Sequence, residues 1–328
     1  MSKITHGTKV LTFGEPLIAW VPSAPGVISA SHQFRPYAAG AELNTAIGLA
    51  RLGIPVAYAC GVGQDPFGTL IRKAVQAEGV DAQYVEEVTP GSTGVLFKQW
   101  TGLQASTSVF YYRSTSPMAI GSWEPEALYK DLTPNTFAWV HSTGITWAIG
   151  EQSRRHATAI LKSSHEVGIP TSFDVNVRRK LAYLDTWHSI VAEVLPYLTW
   201  FLLGDEEASL LFHTESATVL ETAIRNLGFT GEGVLLKRGI QGAELSCRGE
   251  VTRVPAKAVT NVVDTVGAGD GFNAGWIAGM LRGWSIEDAF RLGAVVGAFA
   301  VTSVGDHDGY PTWAEALQEL DGRENVLR

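Results

Sequence analysis

Short apolar runs alternate with amphipathic stretches along most of the chain, and this alternation constrains the fold more than any other feature. The runs KVLTFG (9–14) and VAYACGVG (56–63) are typical of buried strands. Between them, AELNTAIGLARLG places Leu43, Ala46 and Ile47 at helical spacing. Strands that alternate with helices predict crossover connections. We therefore expect an α/β fold with a central, mostly parallel sheet and helices on both faces.

The second half of the chain repeats this pattern. Further helices are predicted at 151–167 and around 205–227, and further strands at 137–144, 169–176, 199–204 and 233–239. Ligands of such sheets bind beyond the carboxyl ends of the strands. The residues just past those ends are therefore the candidates for a functional site.

Two segments, 15–38 and 92–113, interrupt the alternation. Both are rich in β-branched and aromatic residues, contain turn residues and lack a helical period. We predict that they form a small separate sheet inserted into a single domain that spans residues 1–328. The inserted segments are either surface hairpins without function or a lid over a ligand site, since long excursions in compact domains are often functional.

The composition argues against several classes of function. A formal net charge of −8 disfavours general binding of nucleic acid or of membrane surfaces. We find no apolar run of about 18 residues that would predict a membrane span. The first residues lack the long apolar region of a signal peptide, so we expect a cytoplasmic protein. Cys60 and Cys247 are too few for a disulfide framework or a cysteine zinc site.

The stretch VVDTVGAGDGFNAGWIAG (262–279) passes from β-branched residues through Gly267, Ala268 and Gly269 to a run of small residues that favours a helix. A glycine turn that opens a helix directs backbone N–H groups at one point, at the positive end of the helix dipole. Phosphate is the commonest ligand of such an anion hole. The pattern is neither a P-loop nor a dinucleotide fingerprint, because no Gly-Lys-Ser/Thr follows and Phe272 replaces the third glycine.

Asp270 places a carboxylate directly after this turn. A carboxylate repels phosphate, so its presence suggests a chemical step. As a general base it would accept the proton of a hydroxyl that attacks phosphorus, while the N–H groups stabilise the transferring group. As a helix cap it would only stabilise the first turn of the helix. The residues themselves leave both interpretations open.

DTVGAGDGFNAG resembles the C-terminal signature of the ribokinase-like carbohydrate kinases, D-T-x-G-A-G-D-x-F, and AAGAELNTAIGLARLGIPVAYACGVGQDPFG resembles their N-terminal signature. The resemblance covers roughly residues 9–320. It implies a ribokinase-like α/β fold with a small β-sheet lid, and transfer of phosphate from ATP, with Mg²⁺ and possibly K⁺, to a sugar hydroxyl. It also implies that Asp270 is the base and that Gly267, Ala268 and Gly269 form the anion hole.

Three further stretches, GAELN (40–44), VFYYR (109–113) and FDVNVRRKL (173–181), resemble the 2-keto-3-deoxygluconate kinases of this family. Two arginines suit an acid sugar, because guanidinium groups bind carboxylates through charge-assisted hydrogen bonds. Arginines at strand ends are also commonly solvated or ion-paired surface residues, and tyrosines often serve only in packing, so a purely structural role for these residues stays open. The substrate contacts implied by the resemblance are Gly40, Ala41, Glu42, Leu43, Asn44, Tyr111, Arg113, Arg178, Asp270 and Asp306.

LLKRGIQGA (235–243) resembles the segment that lies beside ATP in the family. The nucleotide contacts implied by the resemblance are Asn176, Arg178, Lys237, Gly239, Gly242, Gly267, Ala268 and Gly269. Two positions depart from the family pattern. The usual N-x-x-E is GDEE (204–207), so that Gly204 replaces the asparagine while Glu207 remains. The resemblance implies that Glu207 is an indirect ligand of Mg²⁺. Leu96 stands where an aromatic side chain often faces the substrate.

Together these features predict an ATP-dependent kinase that phosphorylates the terminal hydroxyl of 2-keto-3-deoxygluconate. The alternatives are a fructokinase or another sugar kinase of the family, and a catalytically idle sugar-binding regulator on the same fold. We expect a homodimer or a larger homo-oligomer formed through the lid, because a lid face that carries Ile18, Trp20, Val109 or Phe110 would otherwise be exposed and adhesive. No nucleic-acid or membrane partner is expected.

Overall fold

The computed structural model describes residues 7–24, 26–100 and 107–321. The strands in this part of the chain are β1 (Lys9–Phe13), β2 (Leu17–Pro22), β3 (Phe34–Ala39), β4 (Val56–Gly63), β5 (Asp81–Val88), β6 (Val95–Trp100), β7 (Thr107–Tyr112), β8 (Phe137–Thr143), β9 (Thr171–Asp174), β10 (Trp200–Gly204), β11 (Gly233–Lys237), β12 (Ala243–Cys247) and β13 (Glu250–Val254).

The helices in the same ranges are α1 (Ala41–Arg51), α2 (Pro66–Ala77), α3 (Pro117–Ile120), α4 (Glu126–Asp131), α5 (Gly144–Ala148), α6 (Glu151–Glu166), α7 (Leu184–Val194), α8 (Asp205–Phe212), α9 (Ala217–Asn226), α10 (Ala268–Leu281), α11 (Ile286–Ala300) and α12 (Trp313–Asp321). The helical region expected around 205–227 consists of two helices, and the first ends at His213, which adopts a left-handed conformation with φ 54°. None of the described helices is long and apolar enough to span a membrane.

A nine-stranded sheet forms the centre of the fold, in the order β13-β12-β11-β10-β9-β8-β1-β4-β5. The strands from β11 to β5 are parallel, and only the β11–β12–β13 edge is antiparallel. Adjacent residues of β1 show why its sequence is continuously apolar, since Val10 and Leu11 are buried in two different cores on opposite faces. The predicted parallel sheet with two helical layers is confirmed.

The core on one face of the sheet includes Leu43 of α1, Ile71 of α2, Trp276 of α10 and Phe290 of α11. The opposite face is covered chiefly by α6, α7 and α9. Small residues in α10 allow a close approach to α11. A Cβ added at Gly275 would lie 2.7 Å from the backbone oxygen of Leu292. This packing fixes the N-terminus of α10, and with it the glycine turn, beyond the carboxyl ends of the strands.

The two segments that interrupt the alternation form one four-stranded sheet, in the order β3-β2-β6-β7. One face of this sheet contributes Leu17, Ala19 and Leu96 to a small buried cluster of its own. The expectation that Ile18 and Trp20 lie on an exposed outer face was wrong. Ile18 is fully buried against the main core, and Trp20 packs edge-on against Phe67 of α2. Phe110 and Tyr112 are exposed, by 44% and 65%.

Candidate active site

A cavity of about 650 Å³ lies between the carboxyl ends of the central strands and the small sheet. Its wall includes Asp174 at the end of β9, Gly204 at the end of β10 and Lys237 at the end of β11. This is where ligands bind in open parallel sheets. The sequence-predicted residues that line it are Gly40, Ala41, Glu42, Asn44, Tyr111, Arg113, Asn176, Arg178, Glu207, Lys237, Gly267, Gly269, Asp270 and Asp306.

The other four predicted residues lie close to the cavity wall or behind it. Leu43 is fully buried in the core beneath α1. Ala268 is the first residue of α10, between two glycines that line the cavity. Gly239 and Gly242 belong to the turn that follows β11, just beyond Lys237. Ligand contacts from these four residues stay predictions.

The glycine turn that precedes α10 fits only a residue without a side chain. Gly267 has φ 87°, and a Cβ there would lie 1.9 Å from the backbone oxygen of Asp306. The Tyr310 hydroxyl donates a 2.6 Å hydrogen bond to the carbonyl of Gly267, which anchors the turn from behind. The first turn of α10, at the positive end of the helix dipole, thereby borders the cavity, which Gly269 and Asp270 line.

Asp270 lies in the first turn of α10 and is 8% exposed. Its Oδ2 accepts a 2.8 Å hydrogen bond from Nδ2 of Asn44, a residue of α1. Burial raises the pKa of Asp270 to about 7, although the Asn44 hydrogen bond opposes the shift. A carboxyl group whose pKa lies near neutrality is well suited to accept a proton. Because its hydrogen bond goes to another helix, this geometry favours the general base over the simple cap.

The ammonium group of Lys237 lies beside the glycine turn. Nζ of Lys237 lies 2.5 Å from Oδ2 of Asp174, and Asn273 Nδ2 donates to the same oxygen at 2.7 Å. A Cβ placed on Gly269 would be 3.4 Å from the Lys237 Nζ. Asn176, just beyond β9, is buried and adopts the left-handed conformation with φ 47°, which asparagine tolerates better than most residues. The turn, the lysine and the asparagine bring hydrogen-bond donors together at one corner of the cavity, where Asp174 already balances the charge of Lys237.

Glu207 is held in place by backbone amides. Its carboxylate accepts hydrogen bonds from the N–H of Gly204 at 2.8 Å and of Val177 at 2.6 Å. Burial raises the pKa of Glu207, and the neighbouring Asp174 raises it further. No cluster of three or more His, Cys, Asp or Glu side chains in the described ranges is arranged to hold a metal ion. The indirect role of Glu207 toward Mg²⁺ stays a prediction.

The two predicted arginines have different surroundings. Arg113 is buried against the carboxylate of Glu15, which also accepts a hydrogen bond from Ser116. Arg178 is exposed at the cavity mouth, next to Arg179 and Lys180, which line the same wall. Its charge is therefore available to a ligand, whereas the charge of Arg113 is already balanced by Glu15.

Near the start of α1, backbone contacts fix the segment predicted to grip the substrate. Gly40 has φ 141°, and a Cβ there would lie 2.8 Å from the backbone oxygen of Glu15. Glu42 is buried, and one of its oxygens accepts from the Thr143 amide and hydroxyl and from the Thr146 hydroxyl. Burial raises the pKa of Glu42. The geometry assigns Glu42 to the scaffold, and its contact with substrate stays a prediction.

Lys98 of β6 lines the cavity and was not singled out from the sequence. Its side chain is 2% exposed, with Nζ 3.1 Å from Asp264 Oδ2 and in contact with Oδ1 of Asp306. Burial opposes the charged form, but the two carboxylates raise the pKa of Lys98. The lysine joins the small sheet to loops on both sides of the glycine turn. A strand places alternate residues on one face, so its spacing from Leu96 was the available signal.

Comparisons with known proteins agree with this architecture. The profile of the pfkB family of carbohydrate kinases matches residues 7–313. The chain is 32% identical over 319 residues to the 2-dehydro-3-deoxygluconokinase of Bacillus subtilis (strain 168), which covers 96% of both chains.

Solved structures show the same fold. A PfkB protein from Polaromonas sp. JS666 has a TM-score of 0.81 and 31% identity, with 94% of this chain and 98% of that chain covered. A putative ribokinase II from E. coli, solved in complex with ATP and Mg²⁺, has a TM-score of 0.85 at 23% identity and covers 96% of this chain and 100% of its own. The ribokinase-like fold predicted from the sequence is confirmed. The chain belongs to the pfkB family of carbohydrate kinases and is an ATP-dependent sugar kinase.

Proposed function

We propose that the protein transfers the γ-phosphoryl group of ATP to the terminal hydroxyl of 2-keto-3-deoxygluconate and forms the 6-phosphate. The observation that carries this proposal is one cavity that contains both a buried carboxylate beside a glycine turn and an exposed row of cations, Arg178, Arg179 and Lys180. The carboxylate and the turn serve phosphoryl transfer, and the cations suit an acceptor that is itself an anion. The similarity to a 2-dehydro-3-deoxygluconokinase supports the same acceptor.

Asp270 would act as the general base. The hydroxyl oxygen forms a bond to the γ-phosphorus, the bond from that phosphorus to the bridging oxygen of ADP breaks, and the hydroxyl proton passes to the Asp270 carboxylate. Asn44 occupies Oδ2, which leaves Oδ1 for the substrate. The first-turn N–H groups of α10 stabilise the negative charge on the transferring group. The substrate contacts that were predicted for Gly40, Ala41, Leu43, Tyr111 and Asp306 belong to this proposal.

The nucleotide phosphates would lie against Lys237, Asn176 and the glycine turn. The site fits Mg²⁺ that arrives with ATP, since Mg²⁺ keeps several waters and binds chiefly through substrate phosphates. The buried Asp174 and the half-buried Glu207 are the acids that would hold its water shell, and Oδ1 of Asp174 is buried without a hydrogen-bond partner. When bound, the ion neutralises charge on the phosphates. A stimulatory K⁺ ion and a cytoplasmic location remain predictions.

The small sheet would act as a lid that closes on the substrate and excludes water. Lys98 joins it to the main domain through buried ion pairs with Asp264 and Asp306, and the buried Arg113–Glu15 pair joins the two inserted segments to each other. Assembly of two subunits through the lid remains part of the proposal. The exposed Phe110 and Tyr112, rather than Ile18 and Trp20, are the apolar residues available for that contact.

Replacing Arg178 with leucine should raise the KM for 2-keto-3-deoxygluconate about tenfold to hundredfold, the scale expected for the loss of a charged hydrogen bond. The KM for fructose should change little, because a neutral ketose has no carboxylate to pair. Steady-state kinetics with both sugars provide the measurement. The matched control is Arg155→Leu, which removes an exposed arginine of α6 that pairs with Glu151 and does not line the cavity. Equal losses for both sugars would assign Arg178 to the phosphates or to the fold.

A further inference from the structure

His307 is a buried histidine that the proposed reaction does not use directly. It lies in the loop after α11, next to Asp306, and is 7% exposed. Its Nδ1 lies 3.2 Å from Oδ1 of Asn44. Asn44 in turn donates from Nδ2 to Asp270 at 2.8 Å. Three buried side chains from distant parts of the sequence therefore form one chain of hydrogen bonds that ends on the carboxylate proposed as the base.

The direction of the Asn44 amide decides how it acts on Asp270. One end of a carboxamide accepts and the other donates, so a rotated amide would present Oδ1 to the carboxylate. Two acceptors would then face each other in a buried site, which is unfavourable for an ionised carboxylate. An N–H donor on the far side of Asn44 favours the orientation in which Nδ2 faces Asp270. Among the described residues, Nδ1 of His307 is the group placed to be that donor.

We propose that His307 is a positioning residue, whose Nδ1–H holds the Asn44 amide in the orientation that donates to ionised Asp270. This inference rests on the proposed role of Asp270 as the base. It assigns to His307 an effect on the reaction without any contact to substrate. Its position immediately after Asp306 places the orienting group and a predicted substrate ligand on the same loop.

The surroundings of His307 favour a neutral imidazole. Burial lowers the pKa of His307, and Arg51 lowers it as well, while Asp308, Asp306 and Glu78 raise it. Arg51 donates from Nη1 to the backbone oxygen of His307 at 2.8 Å, and Nε2 of the ring is 4.0 Å from Asp308 Oδ1. A neutral ring has one N–H. If that N–H is on Nδ1, His307 donates to Oδ1 of Asn44, and Nδ2 of Asn44 donates to Asp270.

Two variants separate positioning from simple packing. His307→Leu removes the donor and should lower kcat about tenfold or more, the scale of an unsatisfied buried polar group. It should also move the acidic limb of the kcat profile to higher pH, because the Asn44 hydrogen bond lowers the pKa of Asp270. His307→Asn keeps an N–H close to the Nδ1 position and should restore both kcat and the limb. His165→Leu, at an exposed histidine of α6, is the control for loss of an imidazole.

A tautomer measurement on the unmodified protein is independent of folding of the variants and of the substrate. ¹⁵N chemical shifts of the His307 ring at neutral pH should show a protonated Nδ1 and an unprotonated Nε2. The reverse tautomer would overturn the proposal. An unchanged pH for the acidic limb of the kcat profile in His307→Leu would also overturn it, as would a His307→Asn variant with a kcat as low as that of His307→Leu. Failure of the base assignment is recognised separately, by near-normal turnover in Asp270→Asn.

Discussion

Replacing Asp270 with asparagine should lower kcat by about two to four orders of magnitude, the usual scale for loss of a general base. Asparagine keeps the size of the side chain and most of its capacity to stabilise a helix N-terminus, but it does not accept a proton at neutral pH. The affinity for ATP should change little, because the glycine turn and Lys237 are left intact. Turnover and nucleotide binding, measured on the same preparation, provide the test.

Asp185→Asn is the matched control for this substitution. Asp185 is also an acid in the first turn of a helix, α7, but it is exposed and away from the cavity. Its replacement should leave turnover within about twofold of wild type, as expected for a surface substitution. Near-normal turnover of the Asp270 variant would show that this carboxylate only stabilises the first turn of α10 and is not the base.

Replacing Gly267 with alanine should lower kcat/KM by about two to three orders of magnitude, as removal of a charge-stabilising donor does. The added Cβ would lie 1.9 Å from the backbone oxygen of Asp306, so the turn or the neighbouring loop has to move. Either movement displaces the N–H groups that face the transferring phosphate. The measurement is kcat/KM for ATP at saturating sugar.

Alanine at position 267 is unfavourable for a second reason, because a residue with a side chain is strained in the left-handed backbone conformation. A matched glycine separates this strain from the clash with Asp306. Gly249 has φ 86°, and a Cβ there would meet nothing within 4 Å. Gly249→Ala should therefore show the backbone strain, measured as a lower midpoint of thermal unfolding, without loss of activity. Equal catalytic losses in both variants, or an active Gly267→Ala, would contradict the assignment of the turn as an anion hole.

The central fold was predictable because its signals are local. The apolar run of β1 and the glycine-terminated run of β4 are visible in the sequence, and their alternation with helices implies parallel pairing. The strands β5, β12 and β13 were not predicted. β5 mixes buried with partly or fully exposed positions and carries three acids, and β12 and β13 are short strands at an antiparallel edge. Their pairing depends on neighbours in space more than on their own composition.

The orientation of the small sheet was less predictable. Alternation shows that a strand has two different faces, but it does not show which face another element covers. Ile18 and Trp20 were expected to be exposed, but Ile18 is buried in the main core and Trp20 is half-buried in contact with Phe67 of α2. That contact joins segments that lie far apart in the sequence, and a strand pattern contains no information about it.

In the candidate site, too, local features were predictable from the sequence and tertiary contacts were not. Asp270 and the glycine turn are local features, so a short stretch was enough to identify them. Lys98 is 208 residues from Asp306, and His307 is 263 residues from Asn44, so their roles depend on tertiary contacts. The pairing of Arg113 with Glu15 was missed for the same reason, and it changed a predicted free cation into a buried ion pair.

The preference of the enzyme for an acid sugar tests the central claim most directly. The measurement is kcat/KM with ATP for 2-keto-3-deoxygluconate and for fructose, with ³¹P NMR of the product to locate the phosphate. We predict a 6-phosphate ester and a preference of about hundredfold or more for the acid sugar, as expected when a charged partner in the site would otherwise stay unpaired. Equal or better turnover of fructose would contradict the account and favour a fructokinase, and binding without any turnover would favour a sugar-binding regulator.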